Sequence, residues 1–107
     1  MQNPNDAEFK DGINLYGKIL NKLVGDSLKR MPKTTILDRD DLHQIALHTL
    51  WKCMQKFDIS RGVKFSTYLY FCLSRKLRDI QEKEWKDYNK RKLWEQDNGI
   101  EIEVGEI

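Results

Sequence analysis

A chain of 107 residues, 39% hydrophobic and 34% charged, has the make-up of one soluble globular domain with one modest core. No window approaches the roughly 18 uninterrupted apolar residues of a membrane span, and the opening MQNPNDAEFKD has neither the basic nor the apolar region of a signal peptide, so the expectation is a cytoplasmic protein without a membrane partner. The net charge of +2 conceals an asymmetry: residues 56–92 hold eleven Lys and Arg against five Asp and Glu, whereas 95–107 hold five acids and no base. The first stretch suits a polyanion and the second repels one, although a solvated helical surface with a frayed tail has the same composition.

In chain order, residues 1–8 read as a flexible N-terminus, 9–88 as the folded domain and 89–107 as a basic-then-acidic tail. Ile13, Tyr16, Leu20, Leu23, Val24, Leu28 and Met31 recur at three- and four-residue steps and predict a first helix. It ends near MPKT, because Pro32 disfavours helix at the residue before it. Gly12, Gly17 and Gly25 weaken this helix locally.

A second helix opens at LDRDDLHQ, where Asp38 caps the free amides and Asp40 and Asp41 complement the positive end of the dipole, and it runs to about Gln55. At 100° per residue, Leu42, Ala46, Leu50, Cys53 and Met54, with Phe57 just beyond, form one broad core stripe. The opposite face carries Asp41, Gln44, Ile45, His48, Trp51 and Lys52. Trp51 among polar neighbours either marks a partner-binding face or covers the first helix.

The stretch KFDISRGVKFSTY then places Phe57, Phe65 and Tyr68 among Lys56, Arg61 and Lys64 around a single Gly62. Gly62 permits a tight backbone, and Ser66 or Thr67 is expected to cap a third helix that continues to Trp85 or beyond. Leu69, Leu73, Leu77 and Ile80 are its core stripe, while Tyr68, Phe71, Arg75 and Arg78, at offsets 0, 3, 7 and 10, line a different face. Aromatic rings stack on unpaired bases and Arg and Lys hold phosphates, so this strip suits single-stranded or melted nucleic acid. Phe57 and Phe65 also suit plugs in the core. The whole predicts an all-α, compact helical bundle of three to four helices.

Catalytic chemistry has no constellation here: there are no paired carboxylates, no nucleophile with a base and no glycine-rich phosphate loop. Cys53 and Cys72 sit in apolar helical runs and read as buried thiols. His43 and His48 fall on different parts of a helical face with no Cys or carboxylate completing a tetrahedral set, so no metal or other cofactor is expected.

From Asp41 to Trp85 the sequence DLHQIALHTLWKCMQKFDISRGVKFSTYLYFCLSRKLRDIQEKEW resembles, without a gap, the second conserved region of the sigma-70 family of bacterial transcription initiation factors. KFDISRGVKFSTY is its most specific part, close to the family pattern KFDPxRGxKFSTYA. The preceding LVGDSLKRMPKTTILDRDDL resembles the helix and turn before that region.

The resemblance implies a helical domain with two jobs, docking on the clamp coiled coil of the largest RNA polymerase subunit and recognising and melting the minus-ten promoter element. Carried over by position, Asp41, Gln44, Ile45, His48 and Trp51 become docking residues. Phe57, Arg61, Lys64, Phe65, Thr67, Tyr68 and Phe71 fall where the family surrounds a base flipped from the non-template strand, and Tyr68 would stack on it. Arg75 and Arg78 follow where members touch the last paired position and nearby phosphates.

The chain departs from the family at Ile45, which replaces an acidic docking residue, at Phe71 and Cys72, which replace two adjacent tryptophans, and at Val63, which replaces a frequent aromatic. After Trp85 the sequence leaves no room for the helix-turn-helix domain that reads the upstream element. That implies a member reduced to its second region, of the viral late or two-subunit type, in a bacterial cell or encoded by a bacteriophage, and working with a second sigma-like or coactivator subunit. The competing expectation is a clamp-binding inhibitor that displaces host sigma without reading DNA.

Overall fold

A computed structural model describes residues 5–98 and contains three α-helices, α1 (Asp6–Lys29), α2 (Arg39–Lys56) and α3 (Phe65–Asn98), with a 3-10 turn, Ile59–Arg61, before α3. Each helix packs on both of the others. Leu20 and Val24 of α1, Leu42, Ala46, Leu50 and Cys53 of α2, and Leu69, Leu73 and Leu77 of α3 meet in one core, with Met31 of the α1–α2 connection closing it. The apolar stripes read from the sequence are therefore the faces that pack. Where α1 crosses α2, a side chain on Gly12 would meet the Met54 sulfur at 2.9 Å, so glycine here permits close approach.

The helix starts follow local capping chemistry. The Asp38 side chain accepts the Asp41 N–H at 2.9 Å and the Asp41 carboxylate accepts the Asp38 N–H at 3.0 Å, a reciprocal cap that satisfies two otherwise free donors. Asp38→Ala is expected to destabilise the fold by about 1 kcal/mol, lowering the urea midpoint without changing its slope. An unmoved midpoint would show that this cap contributes nothing.

Two boundaries differ from the sequence expectation. The Asn5 side chain accepts the Glu8 N–H at 2.8 Å, so α1 begins at Asp6, inside the segment 1–8 expected to be flexible. At the other end α3 continues to Asn98, well into the expected tail 89–107, because residues 81–98 are rich in Glu, Lys, Arg and Gln and contain no Gly or Pro. The acidic segment 99–107 lies outside the described residues, as do residues 1–4.

The distal half of α3 is anchored by contacts that no local pattern announces. Gln81 Nε2 donates to Ser27 Oγ at 2.9 Å, Thr35 donates to Glu84, and Trp85 Nε1 donates to the Arg30 carbonyl at 2.7 Å. These bonds fasten α3 to the end of α1 and to the α1–α2 connection. They fix the direction in which α3 leaves the bundle, and with it the face that carries Phe71, Arg75 and Arg78. Its length sets the long axis of a molecule measuring 57 × 25 × 20 Å.

Candidate nucleic-acid and polymerase interface

Between α2 and α3 the backbone is held by Asp58 and Gly62. Asp58 accepts from the Ser60 N–H at 3.0 Å and the Ser60 hydroxyl at 2.6 Å, which keeps its carboxyl below its ordinary range, with nearby Arg61 adding to the effect. The Arg61–Asp58 pair is long, at 4.0 Å, and exposed, so it does little to fix the guanidinium. Gly62 adopts φ +74°, the left-handed conformation that ends the 3-10 turn, and its N–H donates to the Ile59 carbonyl at 3.2 Å.

Helix α3 is capped two or three residues earlier than the Ser66 or Thr67 expected from the sequence. The Tyr68 N–H donates to the Lys64 carbonyl at 3.1 Å, which makes Lys64 the cap position and puts Ser66 and Thr67 inside the first turn. Packing explains the shift. Phe65 lies 5.0 Å from Tyr16 of α1 and 5.2 Å from Phe57 in an edge-to-face contact, so its ring ties the start of α3 to both preceding helices.

The aromatic residues of KFDISRGVKFSTY thus divide into two groups. Phe57, Phe65 and Tyr68 are half-buried and joined ring to ring, with Tyr68 5.8 Å from Phe57, and both Phe65 and Tyr68 pack against the core. Burial, then the neighbouring Cys72, raises the Tyr68 phenol above its ordinary range. Phe71, by contrast, is 70% exposed. Lys64, Thr67, Phe71, Arg75 and Arg78 are all exposed and share one side of α3, with Arg61 and Val63 in the adjoining turn. Neither Arg75 nor Arg78 enters an ion pair among the described residues. Tyr70, 52% exposed, is a further surface aromatic that helical periodicity assigns to neither face, because it sits between the core stripe and the strip.

On α2 the outward face is narrower than the sequence suggested. Ile45 is half-buried and packs against the core, since its position lies at the edge of the apolar stripe rather than opposite it. Asp41 is exposed but holds the Asp38 N–H with one oxygen. Gln44 and His48 are exposed; Trp51 is half-buried, stands outside the core cluster and stacks on His48 with centroids 6.4 Å apart and planes at 14°.

Among the described residues no helix is long and apolar enough to cross a membrane, and no three His, Cys, Asp or Glu side chains group as metal ligands. No curated protein and no solved structure shows a significant match to the chain. The pattern of the family described as Sigma-70 region 2 does match, over residues 15–87, about two thirds of the chain. That span takes in α1 from Leu15 onward, all of α2, the whole aromatic and basic turn between α2 and α3, and α3 as far as Asp87. Sigma-70 region 2 is a non-enzymatic transcription-factor domain that works with core RNA polymerase and promoter DNA, and it is to this family that the chain belongs.

Proposed function

We propose that the protein is a transcription initiation factor that docks on the clamp coiled coil of RNA polymerase through α2 and opens a minus-ten-like promoter element through α3. The observation that carries this reading is the exposed strip of α3, in which Phe71 stands one turn before Arg75 and two before Arg78, with Lys64, Thr67 and Arg61 at its head. An exposed ring followed by two exposed guanidiniums matches what a displaced strand offers, a base to stack and phosphates to hold. Extruding a base from a duplex costs a few kcal/mol, which stacking and phosphate neutralisation must offset in a protein with no nucleotide-driven motor.

Phe57 and Phe65 act in this scheme as a buttress. Joined to Tyr16 and Tyr68, they hold the start of α3 rigid, so that the ring and guanidiniums meet DNA without first being ordered. Tyr68 belongs to both groups, packed on the core at one side and placed at the head of the strip. Asp41, Gln44, His48 and Trp51 supply the docking face on α2, and the two interfaces lie on different helices, so polymerase and DNA can be held together.

The test is promoter opening by a bacterial core polymerase with this protein on a supercoiled template, read by thymine reactivity to permanganate. Opening confined to a short A·T-rich element, and lost when that element is scrambled, is the expected result. Core binding and displacement of the resident sigma factor without opening on any template would overturn it in favour of an inhibitor of the clamp.

A further inference from the structure

The face that carries Phe71, Arg75 and Arg78 does not end with Arg78. Helix α3 runs to Asn98 without Gly or Pro, and eighteen residues make five turns of 3.6, so Asn89 falls on the line of Phe71 and Gln96 on that of Arg78. Each lies about 27 Å further along the axis. Both are exposed, and neither side-chain amide is hydrogen-bonded among the described residues. Leu93, 61% exposed, stands between them in the place that Arg75 takes between Phe71 and Arg78. The family match stops at residue 87, before all three.

Residues 88–94 hold Lys90, Arg91 and Lys92 and no acid. At 100° per residue Glu84, Asp87 and Glu95 fall well round the helix from Asn89, whereas Lys86 falls beside it, exposed and in no ion pair among the described residues. Lys92 is already engaged, 3.5 Å from Glu95 and over the Tyr88 ring. Trp85 is engaged as well, its N–H donating to the Arg30 carbonyl at 2.7 Å and its ring meeting Tyr88 edge-on at 5.4 Å. What the distal face offers is therefore two amides, an aliphatic side chain and a cation, rather than a ring to stack.

We propose that this distal face lies in the major groove of the duplex beside the opened element, where Asn89 and Gln96 read adenines, Leu93 meets a thymine methyl and Lys86 holds a phosphate. The inference rests on the α3 strip being the DNA surface, and it gives that surface a second ligand, paired DNA. A carboxamide can make two hydrogen bonds to the N6 and N7 edge of adenine, and an apolar side chain packs on the thymine methyl. These chemistries together select A·T pairs. The major groove, about 12 Å wide, admits one α-helix with its side chains. Eleven residues, or about 16 Å, separate Asn89 from Arg78, which puts its base about five pairs from the one beside Arg78. Glu82 is the one acid within about 60° of Asn89 on these turns, and a carboxylate in the groove accepts from the cytosine amino group.

The experiment measures binding of core polymerase carrying the full chain to two templates whose minus-ten-like element is already mismatched, one with duplex upstream of it and one cut at its upstream edge. Premelting removes the opening step, so a failure to open DNA does not enter the result. Asn89→Ala and Gln96→Ala are each expected to weaken binding to the first template about fivefold or more, the lower end of what a bidentate base contact is worth, and to leave the second unchanged. Exchanging upstream pairs one at a time should find an A·T pair that matters to the wild-type protein and not to Asn89→Ala. Lys86→Ala should lower the slope of log affinity against log salt by about 0.9 on the first template only. Helical content and unfolding midpoint should stay those of the wild type, because the side chains are exposed. Equal affinity of the wild-type complex for the two templates, or the same base preferences in both variants as in wild type, would overturn the inference. Weaker binding of the variants to core polymerase itself would assign the face to a protein contact and overturn it as well. Binding of neither template would defeat the functional reading and this inference with it.

Discussion

Trp51→Ala is expected to weaken binding to core polymerase at least about tenfold while leaving the helical content and unfolding midpoint of the free protein nearly unchanged. The two halves of this expectation come from separate observations. Trp51 is half-buried, stacks on His48 and is not one of the side chains that pack the core, so its removal opens no cavity among Leu20, Leu42, Leu50 and Leu73. A large aromatic held in a fixed orientation among Gln44 and His48 is the kind of residue that dominates an interface, where truncation of a central anchor costs about 2 kcal/mol or more, equivalent to the tenfold loss or greater. Titration of core polymerase with labelled protein gives the first quantity and thermal unfolding followed by circular dichroism gives the second. Unchanged binding together with a collapsed fold would make Trp51 a structural residue and remove α2 from the docking surface. His48→Ala should share part of the loss, because without the imidazole the indole is no longer held by the stack.

The parts of this molecule that sequence made legible are those governed by short-range rules. Leu69, Leu73 and Leu77 announce a helix face by spacing alone, and Asp38 announces a helix start because its carboxylate can reach an amide three residues on. The glycine between the 3-10 turn and α3 was legible for the same reason, since a positive φ is a local demand. The parts that stayed hidden depend on residues far apart in the chain. Tyr16 and Phe65 touch across 49 positions, and that contact decides where α3 starts and which rings become buttress rather than surface. Ile45 looked outward because a helical wheel has no knowledge of how wide a stripe two neighbouring helices will cover; with α1 and α3 both against α2, the covered arc takes it in. The Trp85 bond to the Arg30 carbonyl and the Gln81 bond to Ser27 were equally out of reach, and they aim the strip. Cys72 reads as a buried thiol, yet the second turn of α3 leaves it only partly buried at the edge of the core.

Phe71→Ala is expected to slow the opening of a duplex promoter by about 1–3 kcal/mol, roughly five- to 150-fold, and to have a much smaller effect on a template whose minus-ten-like element is already mismatched and open. The difference arises because a ring that stacks on an extruded base offsets the cost of unstacking, a cost the premelted template no longer carries. Phe71 is the clean probe of this idea. At 70% exposed it contributes little to the core, so its truncation should move stability by no more than about 0.5 kcal/mol. Tyr68→Ala would be harder to read, since it also strips a neighbour from Phe57 and a packed ring from the core. Tyr68→Phe resolves the ambiguity, because it keeps the ring and loses only the hydroxyl; opening should persist if the ring is what matters. Arg75→Ala and Arg78→Ala act on a different quantity. Each should weaken binding on both templates alike and reduce the slope of log affinity against log salt by about 0.7–0.9, the signature of one lost phosphate contact. Opening kinetics on matched duplex and bubble templates at several salt concentrations measure all four variants at once. Equal losses for Phe71→Ala on the two templates would show that the ring binds DNA without helping to open it, and a salt slope untouched by the arginine substitutions would take the guanidiniums off the phosphates.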